Sequence, residues 1–270
     1  MPELPEVETT RLGLAPLIIG KTIREVSIRE RRLRWPVQLS ISDQLQNQSI
    51  TDLSRRGKYL LISTAGGTLL LHLGMSGNLR YLAVPTHPSK HDHIDFEFSS
   101  GELLRFNDPR RFGSLHFSTK PDEHWLLKNM GPEPLGPDFT GDYLWKISRR
   151  RRVGVKSFLM NGRIVAGLGN IYANESLFRA GIHPTRPAGR ISRERMNRLV
   201  REVQAVLKDA IRAGGTTLQD FVGGDGRPGY FQLSLNVYDR AGNPCVRCTN
   251  PIRVRTIGQR ATYYCPKCQR

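Results

Sequence analysis

Three things are scarce in this sequence, and each bears on the class of protein. There are only four cysteines in 270 residues, and all of them fall within the last 26 positions. In a reducing compartment this clustering favours a metal site over disulfides. Acidic residues are also few, 24 against 41 Lys and Arg, which leaves a formal net charge of +17. Such a surplus implies a polyanionic partner, with nucleic acid considered first and an anionic membrane second.

Long hydrophobic runs are the third absence. The longest uncharged run, residues 59–79, has the length of a membrane span, but ten of its 21 residues are Gly, Ser, Thr, Asn or His. Gly66 and Gly67 divide the run into two short apolar stretches, which predicts a β-hairpin. The acidic, proline-containing start of the chain is unlike a signal peptide. We therefore expect a cytoplasmic protein with no membrane partner. The sequence gives no indication of oligomerisation, so a monomer is the default expectation.

The predicted secondary structure changes along the chain. Its 38% hydrophobic content argues against disorder, and 270 residues suit one large domain or two smaller ones. Residues 1–20 predict a short helix. From about 22 to 118, short apolar or alternating runs separated by turns predict an antiparallel sandwich or barrel. The Pro/Gly-rich segment 130–141 is a linker, and helices are predicted at 170–180 and 192–213.

The cysteine spacing is the strongest single signal. Cys245 and Cys248 are separated by sixteen residues from Cys265 and Cys268. Two Cys-x2-Cys pairs at this spacing are typical of zinc ribbons, so we predict one structural zinc ion, with buried or oxidised cysteines as the alternative. The tail from about residue 236 is predicted to be strand-like. Residues 236–270 carry six Arg and one Lys against one Asp, which predicts a finger that contacts DNA.

The first residues form a second candidate site. Met1 is normally removed when a small residue such as proline follows, which exposes a secondary amine at Pro2. An α-amino group titrates at roughly 7.7–8.0, so much more of it is neutral at pH 7 than of a lysine. Such an amine can attack an aldehydic carbon and form an iminium ion, while Glu3 moves a proton. These residues alone favour the alternative, a stiffened terminus whose acids complement a helix dipole.

Three further features each have a functional and a structural interpretation. Asn170 follows Gly167-Leu-Gly at the start of a predicted helix, where backbone N–H groups can bind phosphate; an ordinary turn is the alternative. The arginine run 149–152 is either solvated surface or a phosphate contact. His91 and His93 share one face of a strand, where a metal site would need further ligands; packing or a surface pair is the alternative.

As a set, several segments resemble the bacterial formamidopyrimidine-DNA glycosylases in the same order along the chain. They are 1–8 (MPELPEVE), 55–59 (RRGKY), 72–77 (HLGMSG), 107–113 (NDPRRFG), 167–175 (GLGNIYANE) and 259–265 (QRATYYC), together with the four-cysteine finger. The resemblance extends over essentially the whole chain. It implies an α+β fold with an N-terminal antiparallel β-sandwich, a helix–two-turns–helix module and a C-terminal zinc finger.

In those terms we expect three domains. They are a catalytic β-sandwich domain with its opening helix at 1–130, a linker and helix–two-turns–helix DNA-binding module at 131–235, and a zinc-finger hairpin at 236–270. The resemblance also implies a bifunctional DNA glycosylase and abasic-site lyase of base-excision repair. Its substrate would be double-stranded DNA that contains oxidised purines such as 8-oxoguanine and formamidopyrimidines.

The resemblance further implies roles for single residues. Pro2 would be the nucleophile that forms a Schiff base at C1′, and Glu3 would donate a proton during base excision. Lys58 and Arg260 would lie near the phosphates that flank the lesion and serve the β- and δ-elimination steps. The positions that match DNA-contacting residues of the family are His91, Arg110, Arg151 and Asn170.

A duplex base must leave the stack before it can react, and something must fill the space it leaves. Met75, Arg110 and Phe112 match the family's three residues for this task, in which the guanidinium can pair with the orphaned cytosine. Packing of hairpin loops is the alternative. Residues 223–229 include four glycines and are interpreted as a mobile lid over the extruded base or as a disordered connector.

Two other functions stay open. The endonuclease VIII type shares Pro2, Glu3 and the finger but prefers oxidised pyrimidines; the Met75, Arg110 and Phe112 triad favours the purine enzyme. A zinc-finger DNA-binding protein without catalysis also accounts for the charge and the cysteines. The intact Pro2-Glu3 pair argues against that second interpretation, as does Lys58.

Overall fold

The structure, a computed structural model, describes residues 2–214 and 235–270. Met1 and the predicted loop at 223–229 lie outside the described residues. Within those two described ranges, no helix is both long enough and apolar enough to cross a membrane.

The chain divides into two compact units. The first holds residues 2–128 together with 211–214, and the second holds residues 129–210 and 235–270. All the strands of the predicted sandwich fall in the first unit, and the cysteine-rich tail falls in the second.

The first unit opens with helix α1, Leu4–Ile18, as predicted for the start of the chain. Glu3 is its N-cap and forms a capping box with Glu6, so that each side chain accepts the other residue's backbone N–H. Pro5 lies in the first turn, where its missing N–H leaves no hydrogen bond unmade.

Eight strands of this unit form two antiparallel sheets of four strands each. In order of neighbouring strands, one sheet contains β1 (Ile23–Ile28), β6 (Asp92–Phe98), β7 (Leu103–Asn107) and β5 (Asn78–Leu82). The other contains β2 (Ile50–Arg56), β3 (Tyr59–Thr64), β4 (Gly67–His72) and β8 (Ser114–Ser118). Helix α2, Ser40–Leu45, lies between β1 and β2 in the chain. The predicted β3–β4 hairpin is confirmed, with Thr64 paired to Gly67.

Both sheets contribute to one apolar core. Leu53 and Ile62 from one sheet belong to the same buried cluster as Phe96 and Phe106 from the other, and Val7 of α1 joins them. A strand exposes alternate residues to opposite faces, so each sheet turns one apolar face inward. The predicted antiparallel sandwich is therefore confirmed.

The second unit begins with helices. They are α3 (Gly141–Ser148), α4 (Val155–Leu159), α5 (Asn170–Ala180) and α6 (Arg193–Gly214). Helix α6 buries an apolar stripe that includes Met196, Leu199 and Val203, as the 3.6-residue period predicts. Helix α5 ends at Gly181, whose φ of +69° is the left-handed conformation that terminates helices.

The cysteine-rich tail ends in a two-stranded hairpin, β9 (Arg253–Ile257) and β10 (Arg260–Tyr264). Its two turn residues, Gly258 and Gln259, have φ of +55° and +61°, which is the geometry of a tight type I′ hairpin turn. The prediction of a strand-like tail from residue 236 is wrong for its first part, because residues 235–252 form turns and irregular structure. A turn joins Cys245 and Cys248 in this part of the chain. A turn can direct both thiols of the pair to one metal ion, and a straight strand would not.

Candidate functional site

The start of α1 brings the two candidate catalytic residues side by side. Pro2 is partly exposed, and the Glu3 side chain beside it is buried, with 2% of its surface exposed. The Glu3 N–H donates to a Glu6 carboxylate oxygen at 2.8 Å. The helix N-terminus carries partial positive charge, which stabilises acidic groups there. A candidate nucleophile therefore precedes an acid that the helix cap holds in place.

Lys58 lies in the two-residue turn between β2 and β3, next to Gly57, whose φ is +57°. Glu8 of α1 ties this turn to the helix. Its carboxylate accepts from Arg55 Nε at 2.7 Å, and Arg55 donates in turn to the Gly57 carbonyl at 2.9 Å. A second ion pair joins Glu8 to Arg11 at 2.7 Å. Helix α1 and the Lys58 turn are thus connected through one shared carboxylate.

The charge state of Glu8 follows from these contacts. Burial by itself would raise its pKa, but the hydrogen bonds and charges of Arg11 and Arg55 outweigh burial and lower the pKa. Glu8 is therefore anionic at neutral pH, so its contact with Arg55, which links α1 to the Lys58 turn, is an ion pair at that pH.

His72, at the end of β4, is a site residue that the sequence pattern did not single out. Its Nδ1 accepts the Gly74 N–H at 2.9 Å, so the proton of the neutral ring lies on Nε2. Burial, followed by the positive charges of Lys58 and Arg34, lowers the pKa of His72 to about 4. His72 is consequently a neutral N–H donor close to Lys58. No local pattern reveals this, because the neighbours come from three separate segments.

Two loops bring Met75, Arg110 and Phe112 to one region of the first unit. Gly74 has a φ of +67°, and a Cβ there would lie 2.4 Å from both the Gly113 nitrogen and the Phe112 carbonyl carbon. The two backbones are therefore in direct contact. The Arg110 guanidinium lies 4.8 Å from the centroid of the Phe112 ring, which is 43% exposed. Met75 is partly exposed.

His91 and His93 flank the start of β6 and differ in their surroundings. His93 is buried, with its Nε2 2.8 Å from the Asp108 carbonyl oxygen, which identifies it as a packing residue. His91 is partly exposed, and its ring centroid is 6.4 Å from that of His93. Of the two histidines, only His91 keeps a surface that a ligand can reach.

In the second unit, Asn170 and Arg260 are joined through the hairpin. Asn170 is the first residue of α5, and its Nδ2 donates to the Ala261 carbonyl at 3.0 Å. The buried Lys156 donates to the same carbonyl at 2.8 Å and to the Thr262 hydroxyl at 2.7 Å. These contacts fix the start of β10, where Arg260 is exposed directly after the turn.

The arginine run at 149–152 separates into two kinds of residue. Arg149 stacks on Trp145 at 4.9 Å and donates to the Ile191 carbonyl at 2.8 Å, so it has a structural role. Arg151 is exposed, and its backbone accepts the Gly189 N–H at 3.0 Å, which holds the segment in place. The structural interpretation therefore applies to the first arginine of the run.

The four cysteines form a metal centre. Their sulfur atoms all lie within 4.8 Å of one another. The Cys245–Cys268 and Cys248–Cys265 sulfur separations are 3.9 Å and 3.4 Å. Four thiolates arranged tetrahedrally around zinc at the usual bond length would lie about 3.8 Å apart, so this donor set fits the ion. With four protein ligands the site is closed, as expected for structural zinc.

Comparisons with known proteins agree with this architecture. Three family descriptions match successive parts of the chain: the formamidopyrimidine-DNA glycosylase N-terminal domain at residues 1–115, the formamidopyrimidine-DNA glycosylase H2TH domain at 130–222, and the zinc finger found in FPG and IleRS at 242–270. These matches define the class, a helix–two-turns–helix protein with a zinc finger.

Relatives that match over the whole chain identify the family within this class. The chain is 57% identical to the formamidopyrimidine-DNA glycosylase of Alkalilimnicola ehrlichii, with all of both chains covered. It is similar to the Fpg crystal structure from Thermus thermophilus, with a TM-score of 0.85, 40% identity and 99% and 98% of the two chains covered.

The Fpg of Lactococcus lactis in complex with a Fapy-dG containing DNA gives a TM-score of 0.88, 32% identity and 99% coverage of both chains. Its complex with an abasic site containing DNA gives the same score and identity, with all of both chains covered. The chain belongs to the formamidopyrimidine-DNA glycosylase family. The resemblance of the sequence motifs, the α+β fold and the zinc site are thereby confirmed.

Proposed function

We propose that this protein is a base-excision repair enzyme that removes oxidised purines from duplex DNA and then nicks the resulting abasic site. The observation that carries the proposal is Pro2, placed directly before the buried Glu3 in a member of a DNA glycosylase family. The L. lactis relative is known in complexes with Fapy-dG and with abasic-site DNA, which supports both halves of the activity. A net charge of +17 suits a polyanionic substrate.

The chemistry uses the chain's own amine. After removal of Met1, the neutral Pro2 nitrogen bonds to C1′ of the damaged nucleotide, and the glycosidic bond breaks. The base leaves with the bonding electron pair and a proton, for which Glu3 is the donor. Opening of the sugar ring gives an iminium ion between the Pro2 nitrogen and C1′. The iminium accepts electrons as successive protons leave the sugar, which expels first the 3′ phosphate and then the 5′ phosphate.

Cationic and neutral donors of both units would hold the phosphates. In the first unit Lys58 and the neutral His72 offer N–H groups close together, and His91 is partly exposed. In the second unit the candidates are Asn170, Arg151 and Arg260. Phosphate contacts of this kind position the duplex and carry no sequence information.

Met75, Arg110 and Phe112 would replace the extruded base. An exposed aromatic ring and a thioether are suited to enter a base stack, and a guanidinium can hydrogen-bond the unpaired cytosine. The contact between their two loops supports a joint role.

We infer the functional organisation from the same residues. It comprises a catalytic domain at 1–130, a DNA-binding helical module at 131–235 and a zinc-finger hairpin at 236–270, acting as a cytoplasmic monomer. Equilibrium sedimentation of the zinc-loaded protein tests the monomer.

Borohydride trapping tests the proposed chemistry. Tag-free protein, with removal of Met1 verified by mass, is incubated with a duplex that holds one 8-oxoguanine opposite cytosine, and borohydride then reduces any Schiff base. We expect a covalent adduct at Pro2 and cleaved strand in the untrapped sample. Pro2→Gly should bind DNA but lose most base excision. Pro5→Ala, a proline substitution in the first turn of the same helix, is the matched control and should still trap.

The other results have clear meanings. Wild-type excision rates in Pro2→Gly would show that the assigned nucleophile is wrong. An adduct on a thymine-glycol duplex alone would indicate the endonuclease VIII specificity. No adduct on either duplex, with zinc bound, would indicate a DNA-binding relative without catalysis.

A further inference from the structure

Asp108 is completely buried at the point where two loops of the first unit meet, the loop at 74–77 and the loop at 108–113. We infer that Asp108 is a positioning residue for Met75, Arg110 and Phe112. It holds their loops in the one arrangement that can fill the space left by an extruded base. The inference rests on the proposed function, since it concerns how that function is achieved.

The carboxylate of Asp108 binds both loops at once. One oxygen accepts from the Ser76 hydroxyl at 2.7 Å and from the Arg110 N–H at 3.3 Å. The other oxygen accepts from the Gly113 N–H at 2.8 Å. Ser76 follows Met75 directly, and Arg110 and Gly113 enclose Phe112. One side chain therefore sets the spacing between all three proposed wedge residues.

The backbone of Asp108 is itself anchored to β6. Its N–H donates to the His91 carbonyl at 3.0 Å, and its carbonyl oxygen lies 2.8 Å from His93 Nε2. The same carbonyl accepts the Arg111 N–H at 3.2 Å. These bonds to His91 and His93 anchor the backbone of the residue whose carboxylate binds both loops. This is the arrangement required of a fixed point against which two loops are aligned.

The loops would not keep this arrangement on their own. Arg111, between Arg110 and Phe112, has a φ of +57°, in the left-handed region that non-glycine residues rarely adopt. The close backbone contact at Gly74 also leaves no room for a side chain there. All three groups that bind the Asp108 carboxylate are donors, so a group that only accepts is required at this position. An amide at the same place would direct its own N–H toward one of them.

The test separates positioning of the wedge from support of the fold by varying the DNA. One substrate is a duplex with 8-oxoguanine opposite cytosine, from which a base must be extruded and replaced. The other has an abasic site opposite a one-nucleotide gap, so that no base is extruded and no partner base is orphaned. Single-turnover cleavage is measured for wild type, Asp108→Asn, Ser76→Ala, the double variant, and the exposed Asp138→Asn as control.

We expect Asp108→Asn to slow excision of 8-oxoguanine about 10- to 100-fold, the range expected when buried hydrogen bonds to a charged group are lost. Cleavage at the gapped abasic site should change less than about 3-fold, because no wedge is needed there. Ser76→Ala should act in the same direction with a smaller effect. The double variant should be no slower than Asp108→Asn, because both changes break the same contact.

Equal losses on the two substrates would show that Asp108 merely supports the fold, and unchanged rates on both would show that it has no role. Ser76→Ala retains the carboxylate, so it remains informative if Asp108→Asn does not fold. If wild type cleaves neither substrate, the proposed function fails, and this inference fails with it. If wild type cleaves both and the variants show no substrate dependence, only the inference about Asp108 fails.

Discussion

At the scale of single residues, the protonation states of side chains in the first unit are set by the groups around them. His72 illustrates this, because a histidine near Lys58 that is proposed to contact phosphate would ordinarily be expected to bind it as a cation. Here burial and the charges of Lys58 and Arg34 keep it neutral by lowering its pKa, and its bond from the Gly74 N–H fixes the tautomer. In the proposed function its contribution to phosphate binding would therefore be a directed N–H that stays neutral from pH 5 to 8.

We predict that the His72 imidazole titrates with a pKa of about 4 and holds its proton on Nε2, which NMR of nitrogen-15-labelled protein measures directly. Because a positive neighbour disfavours the imidazolium, Lys58→Gln should raise the pKa of His72 toward its ordinary value. Lys120→Gln, at an exposed lysine, is the control and should leave it in place. A His72 that titrates above pH 6 in the wild type would contradict the assignment.

Residues of this kind mark the limit of prediction from sequence. The four cysteines can be predicted as metal ligands because their spacing carries the chemistry. Pro2 and Glu3 owe their predicted roles to the family resemblance, because the two residues by themselves favour a stiffened terminus. The roles of His72 and Asp108 depend on contacts between segments far apart in the chain, which no local pattern encodes. The family resemblance indicated a role for Lys58. The contacts of Glu8 and Arg55 that hold the turn containing Lys58 became evident only from the fold.

At the scale of elements, α5 is the support on which the finger is built. Asn174 accepts the Tyr263 N–H at 3.0 Å, and the carboxylate of the buried Glu175 accepts backbone N–H groups at the entry to the finger, among them that of Val237 at 2.9 Å. The finger also contacts α5 through Arg247, whose guanidinium lies 4.6 Å from the centroid of the Phe178 ring. The position of Arg260 therefore depends on both the metal and the helix.

Loss of one zinc ligand should test this dependence. Cys265 is fully buried, and we expect Cys265→Ser to lower the zinc content below one ion per chain and to loosen β9 and β10. DNA affinity should fall as Arg260 loses its position. Zinc content is measured by mass spectrometry and affinity by titration. The control Lys267→Gln changes an exposed residue between the two ligands and should retain zinc. Unchanged zinc and affinity in Cys265→Ser would refute the metal assignment.

Helices and strands marked by a cap, a turn or an apolar period could be predicted from the sequence. Those that form only by pairing or packing against other elements could not. Helix α1, the β3–β4 hairpin and α6 follow from caps, turns and apolar period. Strand β2 has no strong signal of its own, because its sequence ITDLSRR carries charged residues on both sides of a single central leucine. Its pairing with β3 makes it a strand. Helices α3 and α4 are too short to show a helical period.

At the scale of the whole molecule, the excess of positive charge should dominate affinity for DNA. We predict that binding weakens steeply with salt, with the logarithm of the binding constant falling by about 0.9 per phosphate contact for each tenfold rise in salt. Arg151→Gln should reduce this slope by about one contact. Arg24→Gln is the control, because that arginine pairs with Glu97. Fluorescence anisotropy across a salt series measures all three, and an affinity insensitive to salt would contradict the proposed phosphate contacts.

The shared carboxylate of Glu8 has a consequence for the thermodynamics of recognition. Because the ion pair between Glu8 and Arg55 joins α1 to the Lys58 turn in the folded protein, the entropy of bringing these two segments together is lost on folding and not on binding. In the proposed function, binding energy from the duplex would then not be spent on assembling that part of the site and would oppose the cost of unstacking a base. The end of α1 that carries Pro2 and Glu3 is in this sense preorganised for the proposed reaction.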